Sequence, residues 1–319
     1  MSDRFTGVAG HEAAKRLLTQ ALEAPHHAYL IVGANGLGAS LLAERLARAL
    51  ADMGLEKPLS AHPDVAVLAR PKADEEEGTK ASAVVPVEAV RELRVRLASR
   101  PVIAKRRVAF LPEADRLNEE GANALLKSLE EPPAGAVFVM AAHDISRLPA
   151  TILSRSVTLT LGLVAPNVID AWLKERGMGD ADRAEALRHA AGRPGYALRW
   201  LEDADERVRL AEAAQAVENV LCAASAGAAV AALDAGSRAA ETSEDPRAAW
   251  DAHLDRLMRA LRERLTDEPA KAAAFGHTLT RARRASGGPV SPRVWMELEL
   301  VRSFAHGARF PRHVTPLQI

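Results

Sequence analysis

The segment Gly33-Ala-Asn-Gly36-Leu-Gly38-Ala39-Ser40 limits the folds open to this chain more than any other. It follows the apolar run His27-Ala-Tyr-Leu-Ile-Val32, which reads as a buried strand, and precedes Leu41-Leu-Ala-Glu-Arg-Leu-Ala-Arg-Ala-Leu50, which has the period of a helix. Strand, glycine-rich turn and helix make the layout of a phosphate-binding loop, G-x-x-x-x-G-K-[ST]. Gly33, Gly36, Gly38 and the hydroxyl of Ser40 are present, but position 39 is Ala where the loop needs Lys. The glycines allow backbone N–H groups to converge on an anion at a helix N-terminus. The missing lysine is the group that would reach the terminal phosphates during phosphoryl transfer. These four residues are therefore candidates for a degenerate, vestigial nucleotide loop, or for a turn that is only structural, and no bound cofactor is expected.

A second place bears on the same chemistry. A nucleotide-hydrolysing domain of this layout needs an Asp–Glu pair at the end of its third strand, one residue for magnesium and one for the attacking water. Here the strand Val108-Ala-Phe-Leu111 runs into Pro112-Glu113-Ala-Asp115, so Glu113 is present and proline occupies the metal-binding position. Asp115 is left to cap or pair locally.

Strands are also expected at Asp64–Leu68, Val137–Ala142 and Val157–Leu161, with helices at His11–Leu22, Pro86–Leu97 and Asn118–Glu131. Asn118 is a good N-cap, and Pro132-Pro133 ends its helix. Alternating strands and helices predict an α/β domain with a parallel sheet over residues 1–163. Three short helices separated by glycines follow in 164–203. Ala-rich helical periodicity fills 204–319, broken at Thr242–Pro246 and Ser286–Pro292. The acidic run Asp74–Glu77 reads as a solvated loop.

Lys+Arg and Asp+Glu both number 42, so no overall charge draws the chain to nucleic acid. The lone cysteine, Cys222, excludes an internal disulfide and reads as a packed thiol in an Ala-rich helix. No apolar run has the length of a membrane span, and the first residues lack an apolar signal core. A cytoplasmic protein without membrane contact is expected.

Three runs occur in order: His26-His-Ala-Tyr-Leu-Ile-Val-Gly33, Asn123-Ala-Leu-Leu-Lys-Ser-Leu-Glu-Glu-Pro-Pro133 and Leu153-Ser-Arg-Ser156. Together they resemble the clamp-loader subunits of bacterial DNA polymerase III, and among these the delta-prime type. The resemblance covers the N-terminal two-thirds; the last third matches mainly in length and helical character. It implies an AAA+ P-loop domain, a small helical lid and an all-α C-terminal collar domain. It implies a hetero-pentamer with gamma/tau and delta subunits that loads a sliding clamp on primed DNA. Delta-prime members of the family typically do not hydrolyse ATP, which agrees with Ala39 and Pro112, so no intrinsic ATPase is expected.

In the family a Ser-Arg-Cys motif gives an arginine to the ATP site of the neighbouring subunit. By position it falls on Ser154-Arg155-Ser156, so Arg155, with Ser154 beside it, is the candidate catalytic group delivered in trans; Ser156 departs from the family cysteine. A planar, permanently charged guanidinium suits phosphate oxygens. The family's four-cysteine zinc module has no counterpart in 50–62, where His62-Pro-Asp64 reads as a turn, and no metal is expected. Arg193 falls in the second sensor segment of the lid, to face the vestigial pocket or start a helix, and His143-Asp144 in the first sensor region. Arg281, Arg283 and Arg284 could meet DNA or a partner, or form a solvated helix end. The competing functions are an active gamma/tau-like ATPase using Ser40, Glu113 and a substitute lysine, Lys105 or Lys127, and a stand-alone DNA-binding protein.

Overall fold

The computed structural model describes residues 4–69, 85–243, 245–267, 269–285 and 291–305. The acidic run at 74–77 and most of the break at 286–292 lie outside the described residues. The chain divides into two compact units, residues 1–201 and 202–319.

In the first unit α1 (Glu12–Ala21) leads into β1 (Ala28–Val32), α2 (Ala39–Leu50), β2 (Val65–Val67) and α3 (Val87–Leu97). β3 (Arg107–Leu111), α4 (Glu119–Glu130), β4 (Ala136–Ala142), the short α5 (Ala150–Leu153) and β5 (Val157–Thr160) complete the α/β part. The five strands form one parallel sheet in the order β2-β3-β4-β1-β5, as the alternation of elements predicts.

Both faces of the sheet are covered, and the period of two divides the strand residues between two cores. Tyr29 and Ile31 of β1, Val108 and Phe110 of β3, and Val139 of β4 face the core formed with α1 and α2. Leu30, Ala109, Leu111, Phe138 and Met140 face the core formed with α3 and α4. Burial on both faces explains why β1 and β4 read as unbroken apolar runs.

The helix ends follow local chemistry. Asn118 caps α4 by accepting a hydrogen bond from the Gly121 N–H at 2.8 Å. Asp64 does more than shape a turn. Its buried carboxylate accepts the N–H groups of Val102, Ile103 and Ala104 at 2.7, 2.7 and 2.8 Å, which fixes the connection from α3 to β3. Burial opposes ionisation of Asp64, yet these three donors and the nearby Arg107 hold its carboxyl below the usual range.

α6 (Pro166–Glu175), α7 (Asp180–Ala190) and α8 (Pro194–Glu202) follow the sheet, and Ile169, Leu173, Ala186, Ala190 and Ala197 give them a small core of their own. The second unit is helical: α9 (Ala204–Leu221), α10 (Ala226–Glu241), α11 (Pro246–Glu263), α12 (Pro269–Ala285) and α13 (Pro292–Ala305). Its core combines Ala-rich faces with Trp250, Leu254, Leu257, Phe275 and Leu279. Two ion clusters tie these helices. Glu206 of α9 is buried against Arg256 and Arg259 of α11, and Arg293 of α13 reaches Asp234 and Glu241 of α10.

Two sequence expectations change here. Cys222 is exposed rather than packed: α9 stops at Leu221, and Cys222 forms its C-cap. Arg281 and Arg283 pair with Glu299 and Asp255 at 3.0 and 2.7 Å, so they join α12 to α13 and α11 rather than forming a solvated end. No described helix is long and apolar enough to cross a membrane.

Candidate functional site

The glycine-rich loop leaves the C-terminal end of β1 and enters α2 through Gly38, as the sequence predicts. Gly36 and Gly38 have φ of +85° and +89°, a region that glycine enters without steric cost. The Ser40 hydroxyl and several loop carbonyls, however, are engaged by the chain itself. The Ser40 hydroxyl, the would-be magnesium ligand, donates to the Pro112 carbonyl at 3.0 Å. The His11 ring donates through Nε2 to the Leu37 carbonyl at 3.0 Å.

The start of α8 lies directly on the loop. The Gly195 N–H donates to the Gly36 carbonyl at 2.9 Å, and Arg193 Nη1 donates to the Asn35 carbonyl at 3.3 Å and to the Tyr196 hydroxyl at 3.0 Å. The Tyr196 ring is 1% exposed, and a Cβ built on Gly36 would stand 2.9 Å from its Cδ1. Of the two readings open for Arg193, the geometry therefore combines both: it precedes α8 and touches the loop. His11 and Tyr196 were not singled out from sequence, because contacts across 26 and 160 residues, to Leu37 and Gly36, leave no local pattern.

Around β3, Pro112 offers its carbonyl to Ser40 but no carboxylate for a metal. Asp115 is buried and accepts the N–H groups of His143 and Asp144, both at 3.2 Å. Asp144 in turn caps the short turn at Ile145–Arg147 by accepting from the Ser146 N–H. The segment His143-Asp144 is thus engaged in holding strand ends together.

Neither substitute lysine suits the loop. Lys105 lies just before β3, and Lys127 in the last turn of α4. In a parallel sheet the start of β3 is at the end opposite the loop. α4 begins on the loop's side and runs away from it, about 12 Å of helix separating Glu119 from Lys127. Neither lysine is therefore placed beside Ser40 and Glu113.

Ser154-Arg155-Ser156 forms the link from α5 to β5. The turn is held by Ser156 Oγ, which donates to the Ile152 carbonyl at 2.9 Å, and Ser154 Oγ, which donates to the Thr151 carbonyl at 3.1 Å. Serine thus fits the place of the family cysteine by closing a helix-end carbonyl. Register fixes the distance to the loop. Val157 of β5 pairs with Tyr29 of β1, and Thr160 with Val32. Arg155 precedes Val157, whereas the loop begins at Gly33, so about 13 Å of strand lies between their levels. The two are at opposite ends of the sheet.

Arg155 borders an open cleft of about 500 Å³ with His26, His27, Glu130 and Ser154 among its walls. Its Nη2 lies 2.8 Å from Glu130 Oε1, and its Nη1 donates to the Thr151 carbonyl at 3.1 Å and to Ser154 Oγ at 3.2 Å. Burial, with a contribution from His26, lowers the pKa of His27. Glu130 was not recognised as a site residue from sequence, where it is one of two adjacent glutamates at a helix end.

The family described as "DNA polymerase III, delta subunit" matches residues 10–164. The DNA polymerase III subunit delta' of Pseudomonas aeruginosa is 32% identical over 213 residues, 61% of this chain and 61% of the relative. That of Escherichia coli is 33% identical over 187 residues, 54% of each. The DNA polymerase III subunit gamma of Buchnera aphidicola is 29% identical over 157 residues, 47% of this chain and 42% of the relative. The chain thus spans less than two-thirds of the length of these relatives. The segment 10–164, which carries the five-stranded sheet, thus matches the DNA polymerase III delta-subunit family and is similar to its delta' members.

Proposed function

We propose that the chain is a clamp-loader subunit that does not hydrolyse nucleotide itself and lends Arg155 to the ATP site of an adjoining subunit. The observation that carries this reading is the separation of the two groups. Arg155 stands at the start of β5, and the glycine-rich loop at the end of β1, so the arginine cannot serve its own loop. A half-exposed guanidinium on a rigid turn is suited to a phosphate brought by another molecule. The loop supports the same view, since Ala39 and Pro112 remove the lysine and the metal ligand while the Ser40 hydroxyl is bonded to Pro112 and Tyr196 packs on Gly36.

On this reading residues 164–203 act as the lid, 204–319 as the collar that joins gamma/tau and delta subunits, and the assembly opens a sliding clamp for primed DNA. The complex works in the cytoplasm as part of the replicative polymerase. A complex rebuilt with Arg155→Ala keeps its assembly and loses DNA- and clamp-stimulated ATP turnover by about 10³-fold at the affected site. Unchanged turnover at that site overturns the role given to Arg155. Hydrolysis by the isolated chain, abolished by Glu113→Gln, overturns the non-catalytic reading.

A further inference from the structure

We propose that Glu130 is a positioning residue for Arg155, holding the guanidinium so that two of its donors face outward for a neighbour's phosphate oxygens. This inference rests on the role proposed for Arg155.

A guanidinium has five N–H donors in a fixed plane. In Arg155 the two on Nη1 meet the Thr151 carbonyl and Ser154 Oγ, and Nη2 forms an ion pair with Glu130 Oε1 at 2.8 Å. The Nε–H and the Nη2 N–H groups donate no hydrogen bond among the described residues. The side chain is therefore anchored through Nη1 and the ion pair, and its Nε–Nη2 edge remains to offer two donors to two oxygens of one phosphate.

The anchors belong to rigid elements. Glu130 is the last residue of α4, a helix capped by Asn118 at its other end and packed by Leu125 and Leu129 into the sheet. Thr151 and Ser154 belong to α5 and its C-cap. Without Glu130, a long, half-exposed arginine keeps its charge but loses the fixed direction of its fork. Misplacement of about 1 Å at a reacting centre can lower a rate by as much as about 100-fold.

The test uses the reconstituted complex, with ATP turnover and assembly measured on the same preparations. Glu130→Ala lowers kcat by about 10-fold and leaves KM for ATP and subunit assembly unchanged, because the arginine acts in the transition state. Glu130→Gln, which keeps an acceptor oxygen, recovers part of the loss. In the Arg155→Ala background Glu130→Ala has no further effect. Three results overturn the proposal: unchanged turnover in Glu130→Ala, higher turnover, as a carboxylate that sequesters the arginine would give, or a loss that persists undiminished beside Arg155→Ala. If Arg155→Ala lowers turnover and Glu130→Ala does not, this inference fails alone. If Arg155→Ala itself has no effect, the underlying reading fails with it.

Discussion

Replacing Gly36 by Ala tests whether the loop is filled by the chain's own residues. Two costs add. At φ +85° an alanine occupies a left-handed conformation that disfavours a side chain, at about 1 kcal/mol. The new Cβ also lies 2.9 Å from Cδ1 and 3.0 Å from Cε1 of Tyr196, and 3.2 Å from Cβ of Arg193. The Tyr196 ring is enclosed and cannot swing into solvent, so overpacking contributes about 1–3 kcal/mol. The expected destabilisation of the first unit is about 2–4 kcal/mol. Hydrogen exchange of the slowest amides in β1 and β4 of the full chain reads it directly, and they should exchange about 30- to 1,000-fold faster. Tyr196→Ala is destabilising in its own right, but it removes the collision. The double variant should therefore lose about 1–3 kcal/mol less than the two single losses combined. A change below about 0.5 kcal/mol in Gly36→Ala, or strict additivity in the double variant, refutes the close packing of α8 on the loop.

Three other predictions follow from single residues. Burial, with Arg256 nearby, lowers the pKa of His253 to about 4, while the unfolded chain takes up its proton near 6.5. Between these values the unfolded state binds more protons, so the second unit loses about 3 kcal/mol as pH falls from 6.5 to 4, and His253→Gln removes that loss in pH-dependent urea unfolding. Asp64, with its lowered pKa, stabilises above the ordinary aspartate range, and its contribution disappears as the pH falls through the folded value; Asp64→Ala should destabilise by about 3 kcal/mol and remove the slow exchange of the Val102, Ile103 and Ala104 amides. Ala39→Lys restores the missing cation in sequence but gives no hydrolysis by the isolated chain, because Pro112 supplies no metal ligand and the Ser40 hydroxyl is bonded to its carbonyl; phosphate release above background would contradict this.

What could be read from sequence was what short-range physics controls. The loop announced itself because glycines lie between a strand period and a helix period. Asn118 and Pro132-Pro133 marked the ends of α4 because capping and ring closure act within a turn. Arg155 was found through a resemblance of motif, and only the strand register then showed that it stands away from its own loop. The contacts that fill the loop were not legible, since Tyr196 on Gly36 and Arg193 on Asn35 join segments about 160 residues apart. Asp64 looked like a turn residue because its three donors come from 102–104. Cys222 was misread because alanine periodicity continues past Leu221 while the helix does not.

The most direct measurement is a structure of the reconstituted complex trapped with ADP, magnesium and a metal fluoride that mimics the transferring phosphoryl group. The account predicts the Arg155 guanidinium within about 3 Å of that group in the adjoining subunit, with Tyr196 still seated on Gly36 in this chain. A metal-bridged nucleotide in the loop at 33–40, or Arg155 remote from every phosphate, would contradict it.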